Sequence, residues 1–118
     1  MARVILCEPH GDINALLEHV VRRLGHEPVV WVGNESDLVG ADAAVVEPGE
    51  AEGMRLARRL RGDGVPLVLI SIFPSDDAVS VLEPRAYLVK PFPLYVLERA
   101  ISEALDPPVP APVAAATG

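Results

Sequence analysis

The chain has 118 residues and a formal net charge of −7, and 50% of its residues are apolar. This length allows one compact domain with one core and is too short for two. The acidic charge argues against direct binding to nucleic acid or to an anionic membrane. One cysteine, Cys7, excludes an internal disulfide framework and is typical of a reducing compartment. No apolar stretch has the length of a signal peptide or a transmembrane helix, so we expect a cytoplasmic protein.

The first half of the chain predicts strands that alternate with helical segments. Arg3–Cys7 is a short apolar run, as in a strand buried on both faces. Asp12 is the predicted N-cap of a helix that Gly25 ends. The segments Pro28–Val32 and Ala43–Val46 are the next two predicted strands. The predicted inward stripe of the helix consists of Ile13, Leu16, Leu17, Val20, Val21 and Leu24.

The same alternation continues to residue 105. At most one or two helical turns fit around Ser36–Val39, and a full helix is predicted over Glu52–Leu60. The strand Pro66–Ser71 is followed by a brief helix capped by Ser75, and then by the strand Ala86–Lys90. The predicted inward residues of the last two long helices are Leu56, Ala57 and Leu60, and then Leu94, Leu97, Ile101, Ala104 and Leu105.

Strands that alternate with helices predict an α/β fold with a parallel sheet covered on both faces. We expect a flavodoxin-like, doubly wound, five-stranded sheet of order 2-1-3-4-5, with shortened second and fourth helices. Residues 1–105 form this predicted domain, and residues 106–118, rich in Pro and Ala, are predicted to be a linker or a disordered tail. In such folds the chemistry lies at the carboxyl ends of the strands. The loops that begin at Glu8, Glu47, Ser71 and Lys90 are therefore the candidate site.

Three features at these strand ends carry a family resemblance. Lys90-Pro91-Phe92 follows the fifth strand, Tyr87 precedes the lysine by three residues, and Ser71 ends the fourth strand. From Arg3 to about Leu105 the chain resembles bacterial response-regulator receiver domains of the CheY type. The resemblance implies a switch role for Ser71 and Tyr87, a charge-neutralising role for Lys90, and a cis peptide before Pro91. The plainer interpretations are a half-buried strand tyrosine and a trans proline that ends the strand.

The sequence departs from that family where phosphoryl transfer requires its acids. The family accepts a phosphoryl group on an aspartate after strand 3 and holds Mg²⁺ with an acidic pair after strand 1. The acceptor position matches Glu47, whose carboxylate is displaced by one methylene, about 1.5 Å. The acidic pair matches Glu8 and Pro9, and the proline has no ligand atoms in its side chain. We therefore expect no efficient phosphorylation, weak or absent Mg²⁺ binding, no other cofactor and no enzymatic activity.

Two interpretations of Glu47 remain open from the sequence. The longer acid could reach towards Lys90 or Ser71, occupy part of the phosphoryl space and hold the domain in one conformation. Alternatively, the site has drifted after loss of function, and Glu47 is only solvated in a loop.

The leading functional prediction is an atypical receiver domain, or pseudo-receiver, in two-component signal transduction. It would act without phosphorylation, through a protein partner or through an output domain joined by the tail, as a monomer or a weak homodimer. One alternative is residual phosphotransfer with a non-aspartate acceptor. Another is a small-molecule sensor with its ligand in the cleft over strands 1 and 3.

Other residues that could carry chemistry have plainer interpretations. His10 is predicted to be a solvated loop residue, because no second histidine lies at a ligand spacing. Cys7 is predicted to be a buried strand residue rather than a phosphate carrier. The basic residues of the third helical segment are either a docking face for an acidic partner or an ordinary solvated face. They are Arg55, Arg58, Arg59 and Arg61.

Overall fold

The computed structural model describes residues 1–106, so the predicted tail falls outside the described residues except for Asp106. Within these described residues, five strands alternate with four α-helices and one 3-10 turn. The strands are β1 (Arg3–Cys7), β2 (Glu27–Val30), β3 (Ala43–Val46), β4 (Leu67–Ser71) and β5 (Ala86–Val89). The helices are α1 (Gly11–Arg23), α2 (Ala51–Gly62), α3 (Asp77–Ser80) and α4 (Leu94–Leu105), and the 3-10 turn is Glu35–Leu38.

The five strands form one parallel sheet of order β2-β1-β3-β4-β5. This confirms the predicted fold class and strand order. Leu6 of β1 pairs with Val30 of β2 and with Val45 of β3, so β1 lies inside the sheet. The carboxyl ends of β1, β3, β4 and β5 therefore lie along the same edge, which brings the four candidate loops together.

Alternate residues of each strand supply two separate cores, one on each face of the sheet. Val4 and Leu6 pack with α1 and α4, whereas Ile5, between them, packs with α2 and α3 on the other face. The inward residues predicted for α2, which are Leu56, Ala57 and Leu60, are all buried. Both faces are thus covered by helices, as continuous apolar strands require.

The second and fourth helical segments are short, as predicted. The 3-10 turn Glu35–Leu38 replaces the second helix, and Asn34 caps it by accepting a hydrogen bond from the Ser36 amide, 3.2 Å away. Helix α3 has only 4 residues. Its N-cap is Asp76, whose Oδ1 accepts from the Val79 amide at 3.0 Å, so the prediction of Ser75 as the cap was wrong.

The predicted start of α1 was also wrong. Helix α1 begins at Gly11, and its N-cap is His10, whose carbonyl accepts from the amides of Ile13 and Asn14 at 3.1 and 3.0 Å. Asp12 lies in the first turn instead. There its carboxylate interacts favourably with the positive end of the helix dipole, which explains an acid at this position without a capping bond.

Two leucines predicted to face inward are substantially exposed. Leu16 is 40% exposed and Leu94 is 41% exposed. Leu16 borders the buried stripe formed by Leu17, Val20 and Val21, and Leu94 is the first residue of α4. Within residues 1–106, no helix is long and apolar enough to cross a membrane.

Candidate functional site

Four polar side chains from four strand ends meet at the carboxyl edge of the sheet. Glu8, Glu47 and Ser71 are 5%, 8% and 2% exposed, and they are the buried polar residues of the described chain. Lys90 reaches them from the end of β5. We call these four residues the acidic pocket. Two carboxylates thus share one cation in a place with little access to water, and Lys90 is the only lysine of the sequence.

The lysine pairs with Glu8. Lys90 Nζ lies 2.5 Å from Glu8 Oε1, and their side chains are 14% and 0% exposed. Glu8 Oε2 accepts from the His10 amide at 3.0 Å and lies 2.9 Å from His10 Nδ1. Burial would raise the pKa of Glu8, but the hydrogen bonds from Lys90 and His10 outweigh it and hold that pKa below its ordinary value. Glu8 is therefore the acid of the pocket whose charge and hydrogen bonds are compensated.

Glu47 is less well compensated. Its Oε1 accepts from the Gly49 amide at 3.1 Å and from Ser71 Oγ at 3.3 Å. Its Oε2 lies 4.0 Å from Lys90 Nζ and has no hydrogen-bond partner among the described residues. Burial raises the pKa of Glu47, and the lysine and the two hydrogen bonds do not fully offset it. The longer acid is nevertheless folded inward, onto the serine, and is not a solvated loop residue.

Two glycines that were not among the predicted site residues allow this conformation. A Cβ atom on Gly49 would lie 2.4 Å from Glu47 Oε1, and one on Gly53 would lie 2.0 Å from the Glu47 carbonyl oxygen. Gly49 thus lets the backbone amide approach the carboxylate, and Gly53 lets α2 pack against the end of β3. The Pro48-Gly49 dipeptide after β3 is a turn signal that could have identified the first of them.

Hydrogen bonds link the acidic pocket to the loop after β4. Ser71 Oγ donates to Glu47 and accepts from the Phe73 amide at 3.2 Å. The Phe73 carbonyl accepts from the Tyr87 hydroxyl at 2.7 Å. Tyr87 itself is half-buried. The position of the Glu47 carboxylate is therefore tied, through one serine, to a loop whose Phe73 side chain is 61% exposed.

The donors present do not fit a magnesium site. Pro9 is exposed and offers no side-chain ligand. One oxygen of Glu8 is committed to Lys90, and one oxygen of Glu47 is committed to Gly49 and Ser71. Within residues 1–106, no three His, Cys, Asp or Glu side chains are grouped so that they could hold a metal ion. Mg²⁺ needs several oxygen ligands in octahedral geometry, which this arrangement does not offer.

The cleft over β1 and β3 is small. It has a volume of about 70 Å³, and its lining residues include Cys7, Glu8, Trp31 and Glu47. A water molecule takes about 30 Å³ in the liquid, so this space suits one or two waters rather than an organic ligand. Burial and the neighbouring acids raise the pKa of the half-buried Cys7 thiol to about 11, which leaves it protonated and weakly nucleophilic at neutral pH.

The remaining predicted residues lie outside the acidic pocket or beside it. The Lys90-Pro91 peptide bond is cis, as the resemblance implied. His10 is exposed and contacts Glu8 through its ring. On α2, Arg59 pairs with Glu35 and Asp63, and Arg61 pairs with Glu83.

Comparison with known proteins agrees with this fold. No family model and no curated protein matches the sequence.

Several solved structures do match this chain. Chemotaxis protein CheY4 of Vibrio cholerae has a TM-score of 0.74 and 17% identity, over 89% of this chain and 99% of that one. The receiver domain of a modulated diguanylate cyclase from Desulfovibrio desulfuricans has a TM-score of 0.70 and 24% identity, over 89% and 94% of the two chains. An orphan response regulator of H. pylori, HP1043, has a TM-score of 0.72 and 17% identity, over 89% and 97%. The chain therefore has the fold of CheY-like receiver domains.

Proposed function

We propose that this chain is an atypical receiver domain of two-component signal transduction, and that it acts in the cytoplasm without phosphorylation. It is a regulatory or protein-interaction module rather than an enzyme. The observation that carries the proposal is the pair of contacts that Glu47 makes with Ser71 and Gly49. The receiver fold of the matched structures, with those contacts at the acceptor position, supports a signalling role.

The charges of the acidic pocket support independence from phosphorylation. In-line phosphoryl transfer requires a metal ion, an accessible acceptor oxygen and a free cation for the developing charge. Lys90 is already paired with Glu8, and Glu47 Oε1 already accepts two hydrogen bonds. An incoming phosphoryl group would have to displace these contacts and add negative charge beside two buried carboxylates. The residual-phosphotransfer alternative therefore lacks a metal site and an accessible acceptor oxygen, because Glu47 Oε1 already accepts two hydrogen bonds and Glu47 Oε2 is buried.

A phosphorylation assay tests this proposal. The protein is incubated with acetyl phosphate and Mg²⁺ and then analysed by intact mass, beside a receiver domain that has the complete acidic set. We expect no adduct on this chain. The double variant Pro9→Asp/Glu47→Asp should gain a partial adduct, since the short segment 48–53 keeps the acceptor loop from reaching its usual length. A stoichiometric phosphate adduct on the unmodified chain would overturn the proposal.

Exposed apolar side chains support a role in protein interaction. Most of the large ones on the described residues fall between positions 72 and 95, and they are Ile72, Phe73, Val81, Val89, Leu94 and Tyr95. Contiguous apolar patches on soluble proteins mark interaction sites. Phe73 is also the residue that hydrogen bonds connect to Ser71 and Tyr87. We therefore place the partner surface, or the contact of a weak homodimer, on this part of the chain.

Sedimentation equilibrium and pull-down with any fused or co-encoded output protein test this surface. Phe73→Lys should abolish the association and Val32→Lys should leave it intact, because Val32 is 78% exposed but belongs to the loop after β2. Equal association of the two variants would place the partner elsewhere. We also propose that the tail joins this domain to an output domain.

A further inference from the structure

A groove beside the acidic pocket has the features of a ligand site. The second helix is replaced by the 3-10 turn Glu35–Leu38, and the space between this turn and α2 is a cavity of about 310 Å³. Ligand sites in proteins begin at about 300 Å³. The residues that line it are Trp31, Glu35, Glu52, Arg55, Leu56 and Arg59, and we call it the side groove.

The apolar part of the side groove consists of Trp31 and Leu56. Trp31 is the only tryptophan of the sequence. Its indole nitrogen is buried and has no hydrogen-bond acceptor among the described residues. Leu56 is 4% exposed and belongs to the core beneath the groove. An aromatic wall beside an apolar side chain favours a flat, apolar ligand body.

The charges of the side groove define the polar part of the ligand. Arg59 is occupied by Glu35 and by Asp63. Arg55 has no ion pair within residues 1–106, so it is the cation left to bind an anion. Glu35 and Glu52 stand on the same rim and would repel a multiply charged phosphate. A single carboxylate satisfies Arg55 with the least repulsion.

We propose that the side groove binds a small aromatic monocarboxylate, with its carboxylate on Arg55 and its ring against Trp31. Trp31 and Glu52 also line the small cleft that reaches Glu8 and Glu47. A ligand in the side groove would thus contact two side chains that border the acidic pocket. Binding of this ligand does not depend on whether Glu47 can be phosphorylated. A binding experiment can therefore fail while the proposed function holds, and the reverse.

The single tryptophan makes a direct test possible, because the ¹⁵N–¹H spectrum contains one indole signal. The full chain is titrated with benzoate, with its neutral analogue benzamide and with inorganic phosphate, all at equal ionic strength. We expect a saturable shift of the indole signal with benzoate, at a dissociation constant below about 5 mM. Benzamide and phosphate should bind at least about tenfold more weakly.

A pair of variants on α2 assigns the carboxylate contact. Arg55→Gln should weaken benzoate binding about tenfold. Arg58→Gln is the matched control, because Arg58 is exposed on the same helix and does not line the groove, and it should bind as the unmodified chain does. The proposal is overturned by the absence of saturation up to about 50 mM benzoate, by equal shifts with benzamide or phosphate, or by equal affinities of the two variants.

Discussion

Glu8 and Glu47 stand at the ends of neighbouring strands, are both buried, and have pKa values displaced in opposite directions. Glu8 has an ammonium group at 2.5 Å and two contacts with His10, whereas Glu47 has the same ammonium group at 4.0 Å and one oxygen without a partner. The difference shows that burial alone does not decide the charge of an acid. The charge of each acid depends on its distance from Lys90, the one cation that is available.

Removal of that cation should have the largest effect. Lys90→Met leaves Glu8 buried without its partner, which should lower the free energy of unfolding by about 3 kcal/mol in urea denaturation. The double variant Lys90→Met/Glu8→Gln should recover the part of the loss that comes from Glu8, whereas the smaller part from Glu47, 4.0 Å from the lysine, remains. Arg58→Met, at an exposed position, should change stability by less than about 0.5 kcal/mol. Similar losses for the single and the double variant would show that the ion pair is not the cause.

Removal of Glu8 should have the second largest effect on stability. Glu8→Gln should lower stability by about 1–2 kcal/mol at neutral pH, because Lys90 keeps only the more distant Glu47. The pKa of Glu8 is lowered in the folded state, so its contribution is present above the ordinary pKa and is lost as the pH falls through the folded value. Urea titrations between neutral and acidic pH should therefore show a smaller acid-induced loss in Glu8→Gln than in the unmodified chain. Parallel curves for the two proteins would contradict the assignment.

Removal of Glu47 should have the opposite effect and raise stability at neutral pH. The pKa of Glu47 is raised, so its contribution is fully present below the ordinary pKa and is lost as the pH rises through the folded value. Glu47→Gln removes this loss and should raise stability at neutral pH, by less than Glu8→Gln lowers it. The gain should vanish when the pH falls below the ordinary pKa of a glutamate. A gain that is the same at both pH values would point to packing instead of charge.

The smallest effect should come from the glycine that admits the Glu47 carboxylate. An alanine at position 49 restricts the unfolded chain, which alone stabilises a protein by about 0.4–1 kcal/mol. Its Cβ would also displace the Glu47 carboxylate from the Gly49 amide. We expect Gly49→Ala to be nearly neutral in the unmodified chain and to stabilise the Glu47→Ala variant by about 0.5 kcal/mol. A double-mutant cycle measures this coupling, and additive effects would show that Gly49 and Glu47 do not interact.

The fold could be predicted from the sequence because its signals are local and repeated. Continuous apolar runs such as Val4–Leu6 marked the buried strands, and the spacing of Leu56, Ala57 and Leu60 marked the inward face of α2. Boundaries were less accurate. Strand β2 ends at Val30 rather than Val32, although the Trp31 amide still donates to the Leu6 carbonyl at 2.8 Å. A backbone bond of that kind leaves no pattern in the side chains.

The acidic pocket could be predicted only in part, for a different reason. Parallel topology placed Glu8, Glu47, Ser71 and Lys90 at one edge of the sheet, but the choice of Lys90 for Glu8 over Glu47 depends on distances that no motif encodes. The role of Gly49 depends on a fold-back of the Glu47 side chain. The short second helical segment could be predicted, but the groove that it leaves beside Trp31 depends on how the 3-10 turn packs against α2, which no motif encodes.

The single lysine makes the acidic pocket measurable by chemistry. Because the Lys90 side chain is 14% exposed and bound to Glu8, an amine-reactive reagent can modify this ε-amino group only when the ion pair opens. The rate of modification at a saturating reagent concentration then equals the opening rate, and its value at low concentration gives the open population. The modification of Lys90 therefore reports the local opening of the acidic pocket, and peptide mapping separates it from modification of the exposed α-amino group of Met1.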